Sequence, residues 1–323
     1  MRVLIITSEW PSEKIPYAVP FIVRQVDYLR RAGVIVDVFH FRGAKNPVNY
    51  FRAWLHVRHS LDQTAYDLIH AQWGQSALLA LPKKRPLVIT FRGDDVKGIV
   101  GRNGGYTVSG RILRQISRWV AHQANEVIVV SQDLKKSLGV STCHVIPSGL
   151  DLDLFVPGEM VSARETLGLS QTKKYILFAG DRNNPRKRFD LTEKILARVK
   201  ESNPEAELLV ASGIDQKLMP YYMNASDVML LVSRHEGSPN VVKEALACNL
   251  PIVSVNVGDV CQQIGSIDGC IVCDSDEPER FALALSRVLS RNSRIRGRES
   301  ILHLDENLLT MKVIAVYEKA LAA

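Results

Sequence analysis

The sequence predicts an α/β protein of two domains, each built on a parallel sheet, and three observations carry that prediction. At 323 residues the chain is about twice the commonest domain size of roughly 100–150 residues. Short β-branched apolar runs alternate with longer amphipathic stretches, the pattern of βα units around a parallel sheet. The pattern also starts twice, because the strand, loop and helix that open the chain at Met1 recur from Tyr175.

Taken in order, strands are expected at residues 3–7, 35–39, 68–71, 87–91, 127–130 and 144–146. A helix over 20–32 carries Ile22, Val26 and Leu29 at helical spacing and ends before Gly33, a suitable C-terminal cap. Residues 147–158 hold two prolines and two glycines, the chemistry of a linker. Beyond it, strands fit 175–179, 208–211, 228–232 and 252–255, and helices fit 189–200 and 308–321. The domains are therefore placed at 1–155 and 156–304, and the terminal helix, about 305–323, is a candidate to pack back on the first.

Composition narrows the function. Hydrophobic residues at 46% and charged residues at 23% are ordinary for a globular chain, and no apolar run reaches the ~20 residues that span a bilayer. Five scattered cysteines do not read as a disulfide framework, and the N-terminus shows no export signal, so a cytoplasmic chain is expected. The net charge of +7 is uneven: residues 1–150 hold 20 Lys/Arg against 10 Asp/Glu (+10), and residues 151–323 hold 21 against 24 (−3). The first half should meet something anionic.

Ligands of α/β sheets bind at loops beyond the strand ends. The dinucleotide fingerprint G-x-G-x-x-G and the phosphate loop G-x-x-x-x-G-K-[ST] are both absent. The informative run is 233–247, Ser-Arg-His-Glu-Gly-Ser-Pro-Asn-Val-Val-Lys-Glu-Ala-Leu-Ala, directly after an apolar strand. Ser238 suits a helix cap and Pro239 the first helical position, so the amides of Asn240 and Val241 would open the positive end of a helix dipole, a setting for a diphosphate. Glu236 precedes this helix and Glu244 lies about two turns into it; carboxylates accept hydrogen bonds, which suits sugar and ribose hydroxyls. The plain alternative is a loop charge and a solvated helix residue.

The E-x7-E pair Glu236 and Glu244, with Glu236-Gly237-Ser238-Pro239 and Glu244-Ala245-Leu246-Ala247-Cys248-Asn249-Leu250-Pro251-Ile252-Val253, closely resembles retaining nucleotide-sugar glycosyltransferases of family four. Val145-Ile146-Pro147-Ser148-Gly149-Leu150-Asp151 resembles that family's interdomain signature V-I-P-N-G-V-D, and Asp67-Leu68-Ile69-His70-Ala71 its D-x-x-H-A. The resemblance spans nearly the whole chain. It implies the GT-B fold, two Rossmann-like domains with a deep interdomain cleft. It also implies transfer of a sugar, with retention, from a UDP- or GDP-linked donor to a saccharide or polyprenyl-linked saccharide acceptor, in bacterial cell-surface polysaccharide synthesis. No metal and no other cofactor are expected. A GT-B sugar-nucleotide epimerase or phosphorylase is the alternative.

Carried over residue by residue, the resemblance gives Glu236 the donor sugar hydroxyls, Glu244 the ribose, and the backbone around Gly237, Ser238, Asn240 and Val241 the phosphate and sugar. The basic loop after the first strand of the second domain, Gly180 to Phe189, holds Arg182, Arg186, Lys187 and Arg188. Relatives supply an Arg and a Lys to the diphosphate from this loop, where charge grows on the leaving group. Lys187 takes that role, and Arg182 is assigned with it. Here Gly180-Asp181 and Lys187-Arg188 stand where relatives read Gly-Arg or Gly-Asn and Lys-Gly, and a solvated basic loop is the plain alternative.

In the first domain Arg92, Asp94, His70 and Trp73 follow strand ends and are the acceptor-binding candidates. Relatives carry His near the Arg92 position; Arg92 could bind acceptor phosphate or donor sugar, or pair with Asp94 or Asp95. Arg111, Arg114, Arg118 and His122 share one helical face, read as lying opposite Ile112, Ile116 and Trp119. That face could lie on anionic lipid, a peripheral position on the inner face of the cytoplasmic membrane, or be an ordinary solvated face. The D-x-D pairs Asp151/Asp153 and Asp274/Asp276 and the Cys270/Cys273 pair lack the setting of metal sites, and no aromatic-interleaved motif points to nucleic acid.

Overall fold

The computed structural model describes residues 1–44, 46–101 and 105–323, and the chain divides into two compact units, Met1–Gly149 with Glu306–Ala323, and Leu150–Asp305. The division falls at Gly149/Leu150 and not at 155. Leu150 is fully buried, and its amide donates to the Leu304 carbonyl at 2.9 Å, so its ties are to the second unit.

The first unit runs β1 (Arg2–Thr7), α1 (Pro20–Arg31), β2 (Ile35–His40), α2 (Pro47–Gln63), β3 (Leu68–Gln72), α3 (Gly74–Ala77), β4 (Leu87–Phe91), α4 (Asp94–Lys97), α5 (Val108–Ala121), β5 (Glu126–Val129), α6 (Gln132–Leu138) and β6 (His144–Val145). All pairings are parallel, in the order β2-β1-β3-β4-β5-β6. Helices cover both faces of such a sheet, which is why β3 and β4 are buried at every position and read as unbroken apolar runs. Gly33, just past α1, takes φ +86°, a left-handed turn that glycine adopts without steric cost. Asn46 caps α2 by accepting the Val48 amide at 2.9 Å.

Helix α5 packs in a way its sequence disguises. Its buried residues are Gly110, Ser117, Val120 and Ala121, small side chains that bring the helix against its neighbours. A Cβ on Gly110 would lie 2.3 Å from the Ile99 amide nitrogen, and one on Gly74 2.3 Å from the Ser117 hydroxyl. Ile112 and Trp119 are therefore 56% and 53% exposed, on the same side as exposed Arg111 and Arg118, and only Ile116 packs inward. The expected separation of arginines from Ile112 and Trp119 is thus corrected.

The second unit runs α7 (Met160–Thr166), β7 (Lys174–Ala179), α8 (Phe189–Ser202), β8 (Ala206–Ala211), α9 (Met219–Ala225), β9 (Val228–Leu231), α10 (Asn240–Ala247), β10 (Ile252–Val255), α11 (Val260–Ile264), β11 (Ile271–Cys273) and α12 (Pro278–Arg291). The strand order is β11-β10-β9-β7-β8, again all parallel. The direction of winding reverses between β7 and β9, so the loops that leave these two strands emerge side by side, the place where such sheets bind ligands.

After the second unit the chain returns to the first as α13 (Glu306–Ala322). It is anchored by Tyr317, fully buried, and by a buried ion pair in which Arg24 Nε donates to Glu306 Oε2 at 2.9 Å. Arg24 also donates to the Gly149 carbonyl at 2.6 Å.

Candidate functional site

The loops leaving β7 and β9 meet on Glu236. Lys187 Nζ donates to Glu236 Oε1 at 2.7 Å, and Arg186 Nη1 donates to Oε2 at 2.6 Å. The backbones are also joined, the Arg234 amide donating to the Arg186 carbonyl at 2.9 Å. Glu236 is only 7% exposed. Burial alone would favour its neutral form, but the Lys187 ammonium and the Arg186 guanidinium outweigh that and hold the carboxyl at about 2.

Arg182, the arginine assigned with Lys187, is placed elsewhere: it is exposed, its guanidinium carbon 5.1 Å from the centre of the Phe189 ring. The reason is local. Asp181 accepts the Asn183 amide at 2.9 Å and Asn184 accepts the Arg186 amide at 3.0 Å, two turns that carry the chain round and deliver Arg186 and Lys187 together. No signal in the sequence chose between four cations in seven positions.

Helix α10 begins at Asn240 with Pro239 as its cap residue and no side-chain cap bond, so Ser238 does not cap it and Pro239 stands one position earlier than expected. The Ser238 hydroxyl lies beside the Asp259 carboxyl, outside strict hydrogen-bond geometry. The Gly237 and Ser238 backbone thus leads into the first turn that holds Asn240 and Val241. Glu244 is buried two turns in and accepts from Gln216 Nε2 at 3.3 Å, on the β8 side.

Two supports behind this loop escaped the sequence reading. Gly258, at φ +59°, presses on the loop so closely that a Cβ would sit 2.6 Å from the Gly237 carbonyl oxygen. Lys243 is buried to 1% exposure in α10, bonds Asn240 Oδ1 at 3.3 Å and faces Asp259, whose carboxyl also accepts from Gln263 at 2.6 Å. A lysine inside an amphipathic helix reads as surface; here Asn240 and, on another element, Asp259 offset the burial of its charge.

A cavity of about 540 Å³ opens at the ends of β9, β10 and β11. Its lining includes Ser233 and Arg234, just before Glu236, but neither Glu236, Glu244 nor Lys187.

In the first unit Arg92 donates to Gln72 Oε1 at 3.0 and 2.9 Å, to Ser148 Oγ at 2.6 Å and to Gln25 Oε1 at 3.1 Å. Its side-chain partners are neutral; Asp95 instead accepts the backbone amides of Arg92, Gly93 and Gly74. Burial lifts the Asp95 carboxyl to about 6 despite these amides. His70, an acceptor candidate, is fully buried and spent on structure, its ring bonded to Tyr317 and Thr90 at 2.7 Å each. Burial, with Arg92 nearby, drives its pKa to about 3, so it stays neutral. Trp73 holds φ +70° at the end of β3, half-buried, and Asp94 is exposed in the first turn of α4, close enough to Glu9 to raise its pKa together with burial.

Two parallel-sheet, Rossmann-like α/β domains with paired loops at a strand-order reversal define the GT-B class of fold. Similar solved structures include the sucrose-phosphate synthase of Thermosynechococcus elongatus, with TM-score 0.81 and 16% identity over 99% of each chain. Another is Anabaena HepE in complex with UDP-glucose, with TM-score 0.75 and 15% identity over 98% of this chain and 99% of that one. The family model described as Glycosyltransferase Family 4 matches residues 1–154, and the one described as Glycosyl transferases group 1 matches residues 213–291. The chain belongs to family four of the glycosyltransferases. Among relatives, a D-inositol 3-phosphate glycosyltransferase of Segniliparus rotundus is 28% identical over 60% of this chain and 49% of its own. The putative teichuronic acid biosynthesis glycosyltransferase TuaC of Bacillus subtilis is 27% identical over 70% of this chain and 61% of its own. The chain thus spans about half to three-fifths of the length of these curated relatives.

Proposed function

We propose that this protein transfers a sugar from a nucleotide-sugar donor to a saccharide or lipid-linked saccharide acceptor, with retention and without a metal ion. The observation that carries the reading is the charged, buried Glu236 held between Lys187 and Arg186 at the start of α10, with Glu244 eight residues on. An ammonium has three donors, so Lys187 keeps N–H groups for a diphosphate after binding Glu236, and Arg186 adds a second positive charge beside it. They would neutralise the leaving group as its charge grows, the task a divalent cation performs in other sugar transferases. Glu236, ionised and fixed, would accept from donor-sugar hydroxyls, and Glu244 from the ribose. Relatives whose names specify a phosphorylated inositol or teichuronic acid support a hydroxylated, anionic acceptor. Arg92, a half-buried cation whose side chain hydrogen-bonds neutral groups, is the residue of the first unit suited to it.

A position at an anionic membrane surface fits the +10 charge of residues 1–150 and the mixed apolar and cationic face of α5. Among the described residues no helix is long and apolar enough to cross a membrane.

The test is a thermal-shift panel of UDP, GDP, ADP and CMP and their common sugar conjugates, on the wild type and Glu244→Ala. Ligand at 100 times its dissociation constant stabilises the native state by about 2.7 kcal/mol. Stabilisation by one nucleotide family, lost in the variant, is expected; equal shifts in both proteins would remove Glu244 from the site.

A further inference from the structure

The cavity at the ends of β9, β10 and β11 has a chemistry of its own. Arg188 and Asp276, joined at 2.6 Å, form one wall and neutralise each other. Arg234, Asn256 and Asp274 are exposed side chains on the same cavity, and among the described residues no hydrogen bond or ion pair engages their side chains. The lining therefore offers one free guanidinium, one free carboxamide and one free carboxylate, with no net charge and no aromatic ring.

That combination selects among ligands. Arg188 and Asp276 cancel, and Arg234 and Asp274 carry opposite charges, so an ion of either sign loses to one of them what it gains from the other. An apolar group would leave the polar side chains unpaired. A polyhydroxylated ring satisfies all three free groups: its hydroxyls donate to Asp274, accept from Arg234, and do both with Asn256. The volume lies in the range of about 300–1,000 Å³ usual for small-molecule sites. Position agrees as well. Ser233 and Arg234 lead directly into Glu236, and Val257, also lining the cavity, precedes the Gly258 that presses on Gly237.

We propose that this cavity is a subsite for a neutral saccharide ring, on the second unit and beside the Glu236 loop. The pocket's chemistry stands by itself; only the source of the ring, donor or acceptor, rests on the sugar-transfer reading. If the ring belongs to the donor, the nucleotide end lies toward β8 and Glu244, and the sugar end reaches past Glu236 toward β10. If it belongs to the acceptor, the second unit contributes to acceptor binding alongside the first.

Two arms of one experiment decide this, on the full chain and on Arg234→Gln and Asp274→Asn, both at exposed positions. Both variants are first checked for the wild-type melting transition; in the first arm, saturation-transfer NMR is then recorded with the methyl glycosides of glucose, galactose and mannose and with N-acetylglucosamine. In the second, UDP, GDP, UDP-glucose and GDP-mannose are titrated calorimetrically. An acceptor ring predicts saturation transfer to at least one free sugar, reduced about 10-fold in both variants, with nucleotide-sugar binding unchanged. A donor ring predicts that the variants weaken a nucleotide sugar about 10-fold while the bare nucleotide binds as before. Variants that alter neither arm overturn the proposal, as does the absence of free-sugar binding together with unaltered nucleotide sugars. If neither nucleotide nor nucleotide sugar binds the wild type, the donor reading falls, and the free-sugar arm alone still decides the pocket.

Discussion

At Glu236 burial and ion pairing act in opposite directions, and the outcome has a sign that titration can read. The folded-state pKa, about 2, lies below the ordinary glutamate value of 4.5. The ionised form therefore stabilises the fold above about pH 4.5, a contribution lost as pH falls toward 2, on the order of 3 kcal/mol at full effect. Glu236→Gln keeps the shape and removes the charge; we expect urea denaturation to show a protein less stable at pH 7, with a flatter pH profile between 4.5 and 2. Turnover with the cognate donor should drop about 100-fold, the scale of losing one well-placed polar contact in a transition state. A Gln variant with wild-type turnover would show that charge at this position does nothing for the reaction. Gly258 supplies a second residue test. Gly258→Ala forces its methyl group into the Gly237 carbonyl at a left-handed backbone position, so a loss of about 1–3 kcal/mol is expected. Because the displaced atoms carry Glu236, donor affinity should fall as well, measured by calorimetry on the fraction that remains folded.

Among the elements, the strands and the order of βα units were legible because buried parallel strands announce themselves as apolar runs, as residues 87–91 do. Glu236 and Glu244 were legible for a different reason: helix spacing and the neighbouring Gly-Ser-Pro mark a strand, loop and helix start. The orientation of α5 was not, since its inner face is chosen by Gly110 and Ser117, whose smallness permits close approach and which hydropathy scores as indifferent. Lys187 could be named from its loop, but Arg186 could not be preferred to Arg182 until the turns at Asp181 and Asn184 were known. His70 looked like a site residue because it was read at a strand end, within the D-x-x-H-A motif, while its partner Tyr317 lies 247 positions away. The corrected α5 makes its own prediction. Wild-type protein should float with vesicles containing phosphatidylglycerol and not with pure phosphatidylcholine, and 0.5 M salt should release it. Arg111→Glu with Arg118→Glu should abolish flotation and Trp119→Ala should weaken it; flotation indifferent to all three changes would remove α5 as the contact.

For the molecule as a whole, the two units carry different acid sensitivities. His70, held neutral with a folded pKa of about 3 against the ordinary histidine value of 6.5, penalises folding of the first unit as pH falls below 6.5, because only the unfolded chain then takes up the proton. Asp95, raised to about 6, acts in the opposite sense between pH 6 and 3.8 and offsets part of that loss. The second unit keeps its Glu236 contribution until pH 4.5. Calorimetric scans from pH 7 to 5 should therefore show the first unit weakening before the second, and His70→Asn should flatten that early response. A single transition with the same pH slope in wild type and variant would contradict the assignment. The return of α13 reaches further, into biosynthesis. A ribosome delivers residues 1–149 first, yet the helix bearing Tyr317 and Glu306 leaves the exit tunnel only after all of 150–305 has been made. The second unit, contiguous in sequence, can close on itself during translation, while the first must wait with the groove around His70 and Arg24 uncovered, so a nascent chain stalled before residue 306 presents chaperones and proteases with a half that was begun first and is completed last.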